Sequence, residues 1–214
     1  MKQDLSNKRM DYAKNSMDFE KMPATPMLLF DEWYKQAFES QLIKEVYAMS
    51  LSTIGRDGFP KNRIVLLKEY NADGFVFYTN YESEKGKAIL ENPQVCLSFF
   101  WDELEQQVII KGMAEKVSQE MSDAYFHQRP FESQLGAIVS AQSTVIDRSV
   151  NLEEQVNALK TIWEGKEIPR PEHWGGFLVK AVEVEFWQGR PSRLHDRLRY
   201  QLQDGKWVQD RLSP

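Results

Sequence analysis

The segment 185-EFWQGRPSRLHDRLRY-200 near the end of the chain concentrates residues that could do chemistry, with four arginines, one histidine and two aromatic residues ahead of the final tyrosine. Arg193, His195 and Arg197 alternate with other residues, and this two-residue period predicts a strand with all three side chains on one face. Three potential cations on one face repel one another unless an anionic or aromatic group lies over them. The cluster therefore predicts a surface that binds an anionic or aromatic ligand.

Two further segments place cations where an anion could bind. In 63-RIVLLK-68, Arg63 and Lys68 have an odd spacing, which predicts that they leave an ideal strand on opposite sides. Ser83 opens a predicted helix whose first turn carries Lys85, and free N–H groups at a helix start favour phosphate. The alternatives are a buried strand with charged ends and a helix with solvated lysines.

A third segment, 125-YFHQRPFES-133, spaces Tyr125, Arg129 and Ser133 by four residues. They would share one face if a helix continued through Pro130. An arginine fork with two hydroxyl donors suits a phosphate group. The alternative is a capped surface helix with incidental polar residues.

Motifs for other kinds of catalysis are absent from the sequence. His127, His173 and His195 lie far apart, and there is no nucleophile motif or glycine-rich phosphate loop. Cys96, the single cysteine, lies in an apolar run and is predicted to be a small core residue. These absences disfavour triad hydrolysis and zinc catalysis.

Composition limits the location and the partners of the protein. The formal net charge of -5 argues against a general nucleic-acid binder, because such proteins need a basic surface. No segment has the length and apolarity of a signal peptide or a membrane span, so we expect a cytoplasmic protein without a membrane partner. Residues 1–22 are predicted to form a flexible arm, and residues 23–214 a single domain.

The periodicity of apolar residues and the turn signals predict short strands with helices between them. Helices are predicted at residues 27–39, 83–91, 118–128, 131–139 and 152–164. Strands are predicted at residues 48–54, 63–70, 75–79, 95–101, 107–117, 176–187, 193–201 and 206–210. Because most strands follow one another without crossover helices, we expect a mainly β, α+β fold: an antiparallel barrel with peripheral helices.

Several of these segments together resemble one family. One pair of segments resembles the pyridoxine 5'-phosphate oxidases, also called pyridoxamine 5'-phosphate oxidases: Val184-Glu185-Phe186-Trp187-Gln188, followed by Arg193-Leu194-His195-Asp196-Arg197. Arg63 to Lys68, Tyr78-Thr79-Asn80, Gln142-Ser143 and Trp174-Gly175-Gly176-Phe177 are similar to that family's other segments, in the same order. The resemblance covers nearly the whole chain.

The resemblance implies a split β-barrel that forms a homodimer, with FMN at the subunit interface. It implies an oxidation of pyridoxine 5'-phosphate and pyridoxamine 5'-phosphate to pyridoxal 5'-phosphate, with O2 as electron acceptor. The FMN-binding residues that it implies are Arg63, Ile64, Val65, Leu66, Leu67, Lys68, Tyr78, Thr79, Lys85, Gln107, Gln142, Ser143, Trp187 and Arg197. The substrate-binding residues that it implies are Arg9, Tyr12, Lys68, Tyr125, Arg129, Ser133, Arg193 and His195, of which Arg193 and His195 act at the flavin.

The sequence departs from the family pattern at two positions. Glu84 stands where a second basic residue is expected beside the FMN phosphate, and Met10 follows Arg9 where another arginine is expected. These changes predict weaker FMN binding and weaker closure of the arm. Three alternatives stay open: a flavin reductase on another substrate, a non-catalytic flavin or pyridoxal-phosphate binding protein, and an RNA-binding barrel, which the acidic charge disfavours.

Overall fold

The computed structural model describes residues 3–8 and 10–214. Within that part of the chain, the helices are α1 Pro26–Ser40, α2 Glu84–Glu91, α3 Gln119–Gln128, α4 Phe131–Val139 and α5 Leu152–Trp163. The strands are β1 Ala48–Ile54, β2 Pro60–Leu66, β3 Glu69–Asn71, β4 Gly74–Asn80, β5 Gln94–Trp101, β6 Gln106–Lys116, β7 Trp174–Gln188, β8 Asp196–Gln203 and β9 Lys206–Leu212. None of these helices is long and apolar enough to cross a membrane.

The strands form a mostly antiparallel sheet, and hydrogen-bonded neighbours follow the order β2-β1-β5-β6-β7-β4-β3, with β8 paired to β7 and to β9. In the pair of β4 with β7, Phe75 lies opposite Val179 and Asn80 lies opposite Trp174. Asp204 and Gly205 have positive φ angles of 49° and 76°, which suits the tight turn that joins β8 to β9. The predicted mainly β fold with peripheral helices is confirmed.

The chain divides into two compact units. The first contains the described residues as far as Ser50, together with residues 96–111 and 181–214. Its core forms around α1, where the helical spacing of Phe30 and Trp33 buries both rings. The Phe30 ring meets Phe99 at 5.2 Å and the Trp33 ring meets Phe186 at 5.2 Å, both edge to face.

The second unit contains residues 51–95 and 112–180. The side chains of Ser83, Ser118 and Asn151 cap the starts of α2, α3 and α5 by accepting backbone N–H hydrogen bonds. A core cluster packs where the helices meet the start of β7; its buried members are Phe126, Leu135, Ala137, Ile168 and Trp174. The expectation of a single domain after residue 22 stays a prediction.

Two predicted strands differ from the structure by more than two residues at one end. The predicted strand 63–70 is two strands, β2 and β3, because the chain leaves β1 as its neighbour and joins β4 instead. The predicted strand 193–201 begins only at Asp196. Before it, Pro191–Arg193 form a 3-10 turn in which Ser192 and Arg193 have positive φ angles of 57° and 60°. The prediction that Arg193, His195 and Arg197 alternate along one strand is therefore wrong.

The predicted helices at residues 118–128 and 131–139 correspond to α3 and α4, and no continuous helix runs through Pro130. The helix α3 ends at Gln128, and Arg129 takes an extended conformation with φ -70° and ψ 149°. A residue before proline avoids the helical region because the proline ring crowds its backbone. The chain therefore turns at Arg129 and begins a new helix, α4, at Phe131.

Candidate active site

A cavity of about 910 Å³ opens in the second unit, among β2, β4 and the starts of α2 and α4. It brings together most of the predicted binding residues of this unit: Arg63, Ile64, Val65, Leu66, Lys68, Tyr78, Thr79, Lys85, Tyr125, Arg129, Ser133, Gln142 and Ser143. Leu67, predicted with them, is buried in the core instead. Arg63 and Lys68 both line the cavity, although an ideal strand would separate them, because β2 ends between them.

One set of cations in the cavity comes from β2 and α2. The Arg63 guanidinium donates hydrogen bonds to the Thr53 hydroxyl at 2.8 Å and to the Leu51 carbonyl at 3.1 Å, which hold it in place. Lys85 Nζ lies 3.0 Å from Gln142 Oε1, so the helix start and the 140–143 loop meet here. We call Arg63, Lys85 and Gln142 the α2 anion site.

The electrostatics of the α2 anion site favour an anion. Burial, with repulsion from Arg63, lowers the pKa of Lys85 to about 8. Burial also lowers the pKa of Arg63. Both groups would hold their protons more firmly beside a negative charge, so an anionic ligand is stabilised at this position.

A second set of predicted residues, at the turn between α3 and α4, contains one cation, Arg129. The Arg129 guanidinium lies over the Trp174 ring, 4.5 Å from its centroid, and its Nη1 atom is buried without a hydrogen-bond partner among the described residues. Burial lowers the pKa of Arg129. A buried guanidinium N–H without a hydrogen-bond partner costs free energy, so a ligand that accepts a hydrogen bond from Arg129 would be stabilised here. Tyr125 and Ser133 line the same cavity.

Stacked aromatic rings support this second set. The Tyr78 and Tyr125 rings stack at 3.9 Å with 16° between their planes, and the Trp174 ring stacks on Tyr78 at 5.6 Å. Burial raises the pKa of Tyr78, so its hydroxyl stays a neutral donor. Trp174 has no binding role in the sequence prediction, and its position before a glycine pair at the start of β7 was the available signal.

A different group of predicted residues lies together in the first unit. The His195 ring is 4.6 Å from the Trp187 ring and 5.9 Å from the Tyr12 ring. The backbone N–H of Arg190 donates to His195 Nδ1 at 3.1 Å. Because Nδ1 accepts, the proton of the neutral imidazole is on Nε2, which is then a donor.

The other predicted residues of the first unit have different surroundings. Arg193 is exposed on the 3-10 turn. Arg197 donates from Nε to Glu185 at 2.8 Å, and this hydrogen bond raises its pKa. Gln107 lies 3.3 Å from the Ser98 hydroxyl. Arg9 lies outside the described residues.

Two family models match the chain. The model for pyridoxamine 5'-phosphate oxidase matches residues 36–162, and the model for the pyridoxine 5'-phosphate oxidase C-terminal dimerisation region matches residues 174–214. The chain belongs to the pyridoxine/pyridoxamine 5'-phosphate oxidase family. The family predicted from the sequence is confirmed.

Relatives of the oxidase family match over the full chain. The pyridoxine/pyridoxamine 5'-phosphate oxidase of Flavobacterium johnsoniae is 56% identical, and the match covers 98% of this chain and 99% of the relative. The enzyme of the same name from Christiangramia forsetii is 49% identical, with 100% of both chains covered.

Solved structures with the same fold extend the likeness. PhzG from Burkholderia lata 383, in complex with tetrahydrophenazine-1-carboxylic acid, is 26% identical with a TM-score of 0.87, and the match covers 94% of this chain and 99% of that one. A pyridoxamine 5'-phosphate oxidase-related, FMN binding protein from Nostoc punctiforme is 16% identical with a TM-score of 0.71, covering 90% and 100%, and shows likeness of fold alone. The predicted split-barrel fold of the oxidase family is confirmed.

Proposed function

We propose that this oxidase converts pyridoxine 5'-phosphate and pyridoxamine 5'-phosphate to pyridoxal 5'-phosphate in vitamin B6 metabolism. FMN is its cofactor and O2 its electron acceptor, so hydrogen peroxide forms in both reactions, and water releases ammonia from the amine. One observation carries the proposal: one cavity is lined by Arg63 and Lys85, from β2 and α2, and by Arg129, from the α3–α4 turn, which suits two phosphorylated ligands.

The α2 anion site fits the phosphate of FMN. Arg63 is fixed by its own hydrogen bonds and can offer its remaining N–H groups, while Lys85 supplies a point charge beside a helix start. Around them, the residues proposed to hold FMN in this cavity are Ile64, Val65, Leu66, Lys68, Tyr78, Thr79, Gln142 and Ser143. Bound FMN supplies the two-electron acceptor that no ordinary side chain offers.

The Arg129 set fits the phosphate of the substrate. The buried Nη1 of Arg129 is a donor without a partner among the described residues, and a phosphate oxygen would satisfy it. Lys68, Tyr125 and Ser133 line the cavity with it and add one cation and two hydroxyl donors. These residues bind and orient the substrate, and the electrons of the substrate pass to the cofactor.

The residues of the first unit are proposed to act on the pyridine ring. His195, whose neutral ring carries its proton on Nε2, donates a hydrogen bond to a polar group of the substrate. Arg193 covers the face of the ring as a cation. Tyr12, which packs on Trp187 at 5.6 Å, and Arg9 close over the substrate.

We further propose that the protein is a homodimer with FMN at the subunit interface. The match to a C-terminal dimerisation region over residues 174–214 supports dimerisation. In this arrangement Gln107, Trp187 and Arg197 complete the cofactor site. A cytoplasmic location stays a prediction.

Purification and an oxidase assay test the function. The purified protein should show a flavin absorption spectrum and should form pyridoxal 5'-phosphate and hydrogen peroxide from pyridoxine 5'-phosphate under air. A flavin reductase would be yellow but inactive on this substrate, and a binding protein would hold flavin or pyridoxal 5'-phosphate without forming peroxide. Either result would refute the proposal.

A further inference from the structure

We propose that Lys61 belongs to the cofactor-phosphate site, where it acts as a pair with Glu84 to set the charge that FMN meets. The proposal rests on the assignment of the α2 anion site to the FMN phosphate. Lys61, at the start of β2, and Glu84, the first residue of α2, both line the cavity. Neither residue belongs to the set of FMN contacts given above.

The two side chains form a two-pronged ion pair. Lys61 Nζ lies 2.6 Å from Glu84 Oε1 and 2.5 Å from Glu84 Oε2. The backbone carbonyl of Lys61 also accepts a hydrogen bond from the Arg63 guanidinium at 2.8 Å. Lys61 is therefore joined to the α2 anion site through its main chain and to α2 through its side chain.

Glu84 acts on every cation of this site. Burial lowers the pKa of Arg63 and of Lys85, and the negative charge of Glu84, which also contacts Lys61, partly opposes that lowering at both residues. Without Lys61, this carboxylate would repel a phosphate at the same position. The cations Lys61, Arg63 and Lys85 with the one carboxylate leave about two net positive charges, which would balance the negative charge of a phosphate monoester.

The pair contributes little to folding, which makes it suitable for mutation. Both side chains are about half exposed, at 56% and 52%, and exposed ion pairs add little stability. The pair Arg56–Glu91 offers a matched control, because Glu91 ends the same helix and neither residue lines the cavity.

The test is a double-mutant cycle on FMN binding. Apoprotein is titrated with FMN, and the dissociation constant is read from the quenching of flavin fluorescence for the wild type, Lys61→Gln, Glu84→Gln, the double variant and the control Arg56→Gln. Lys61→Gln removes a cation that attracts the phosphate and leaves the Glu84 carboxylate unpaired, so it should weaken FMN binding about tenfold. Glu84→Gln removes a carboxylate that repels the phosphate, so it should strengthen FMN binding about threefold. The double variant should return to within about threefold of the wild type, and Arg56→Gln should change nothing.

Riboflavin, which lacks the phosphate, distinguishes a charge effect from a change of shape. Its affinity should be the same in all five proteins. Lys61→Gln with wild-type FMN affinity, or with an equal loss of riboflavin affinity, would overturn the inference. A wild-type protein that binds neither flavin would instead refute the proposed function, and the inference with it.

Discussion

Arg129 has a buried hydrogen-bond donor that a bound ligand could satisfy. Its guanidinium is held over Trp174 and its Nη1 is buried without a partner among the described residues. Hydrogen bonds to charged groups contribute about 1.5–3 kcal/mol, so Arg129→Ala should raise the KM for pyridoxine 5'-phosphate about tenfold to a hundredfold. The FMN dissociation constant should stay near that of the wild type.

Steady-state kinetics of the FMN-loaded variant check this expectation. Arg148→Ala is the control, because Arg148 is exposed in the loop before α5 and does not line the cavity. An unchanged KM in Arg129→Ala would remove Arg129 from the substrate site.

Arg193 is proposed to act at the substrate ring, apart from the phosphates. Arg193→Leu removes the cation but keeps an aliphatic side chain, and Arg193 is exposed, so the fold should be unaffected. We expect kcat to fall about a hundredfold, because charge placed at a reacting group contributes a few kcal/mol to the transition state. Absorbance at the flavin band should show unchanged FMN content, and a wild-type kcat would refute the role.

Lys85 makes FMN binding depend on pH. Burial and Arg63 lower its pKa to about 8 in the ligand-free protein, so its positive charge is present below that pH and is lost above it. A phosphate dianion binds the protonated form, so the FMN dissociation constant should rise as the pH increases through about 8, by at most about tenfold per pH unit.

FMN titrations between about pH 6.5 and 9.5 measure this effect, since the phosphate keeps its double charge over most of that range. Lys85→Met should bind FMN more weakly and without the alkaline loss. The same alkaline slope in both proteins would show that another group titrates.

At the scale of elements, α2 must pack closely against the end of β4 to place Lys85. A Cβ atom added at Gly86 would lie 2.6 Å from the Asn80 carbonyl oxygen and would also collide with the Tyr81 carbonyl. Backbone atoms cannot move aside as a flexible side chain can. Gly86→Ala should therefore destabilise the apoprotein by about 1–3 kcal/mol.

Gly136 provides a matched control within α4. An added Cβ there meets nothing within 4 Å, and alanine favours a helix interior. Gly136→Ala should stabilise the protein by about 0.5–1 kcal/mol. Urea denaturation measures both values, and a loss of stability in Gly136→Ala together with none in Gly86→Ala would contradict this account of α2 packing.

The elements themselves were largely predictable, because apolar periodicity and turn residues are local signals. The exceptions have causes that are not local. The break between β2 and β3 occurs because β2 pairs with β1 and β3 pairs with β4. The late start of β8 follows from positive φ angles at Ser192 and Arg193, which the sequence does not indicate because neither residue is glycine. The break between α3 and α4 was predictable from a local signal, because Pro130 disfavours a helical conformation at Arg129, and the predicted helices end at residue 128 and begin again at residue 131.

At the scale of the whole molecule, the family and its fold were predictable because several motifs occur in one order along nearly the full chain. The spacing of residues alone does not show that Arg63, Lys85 and Arg129 line one cavity, since β2, α2 and the α3–α4 turn are far apart in sequence. The ion pair of Lys61 with Glu84 was likewise missed, because its partners are 23 residues apart. Because the sequence did not show Lys61 as its partner, the presence of Glu84 predicted only weaker FMN binding.

The central claim is that residues of two copies of this chain complete each flavin site. If the cavity of one copy works with the Arg193 and His195 group of the other, two defective chains can restore one site in a mixed dimer. In a dimer of Arg129→Ala with Arg193→Leu, one site would have both residues intact and the other site would have both replaced.

The most direct measurement is the oxidase activity of this mixed dimer, co-expressed with two different affinity tags and purified on both in turn. The assay uses pyridoxine 5'-phosphate far below its KM, so that each parent homodimer is nearly inactive. Sharing of sites between copies predicts about half of the wild-type rate, since one of the two equivalent sites is intact. A mixed dimer no more active than the average of its parents would contradict the claim.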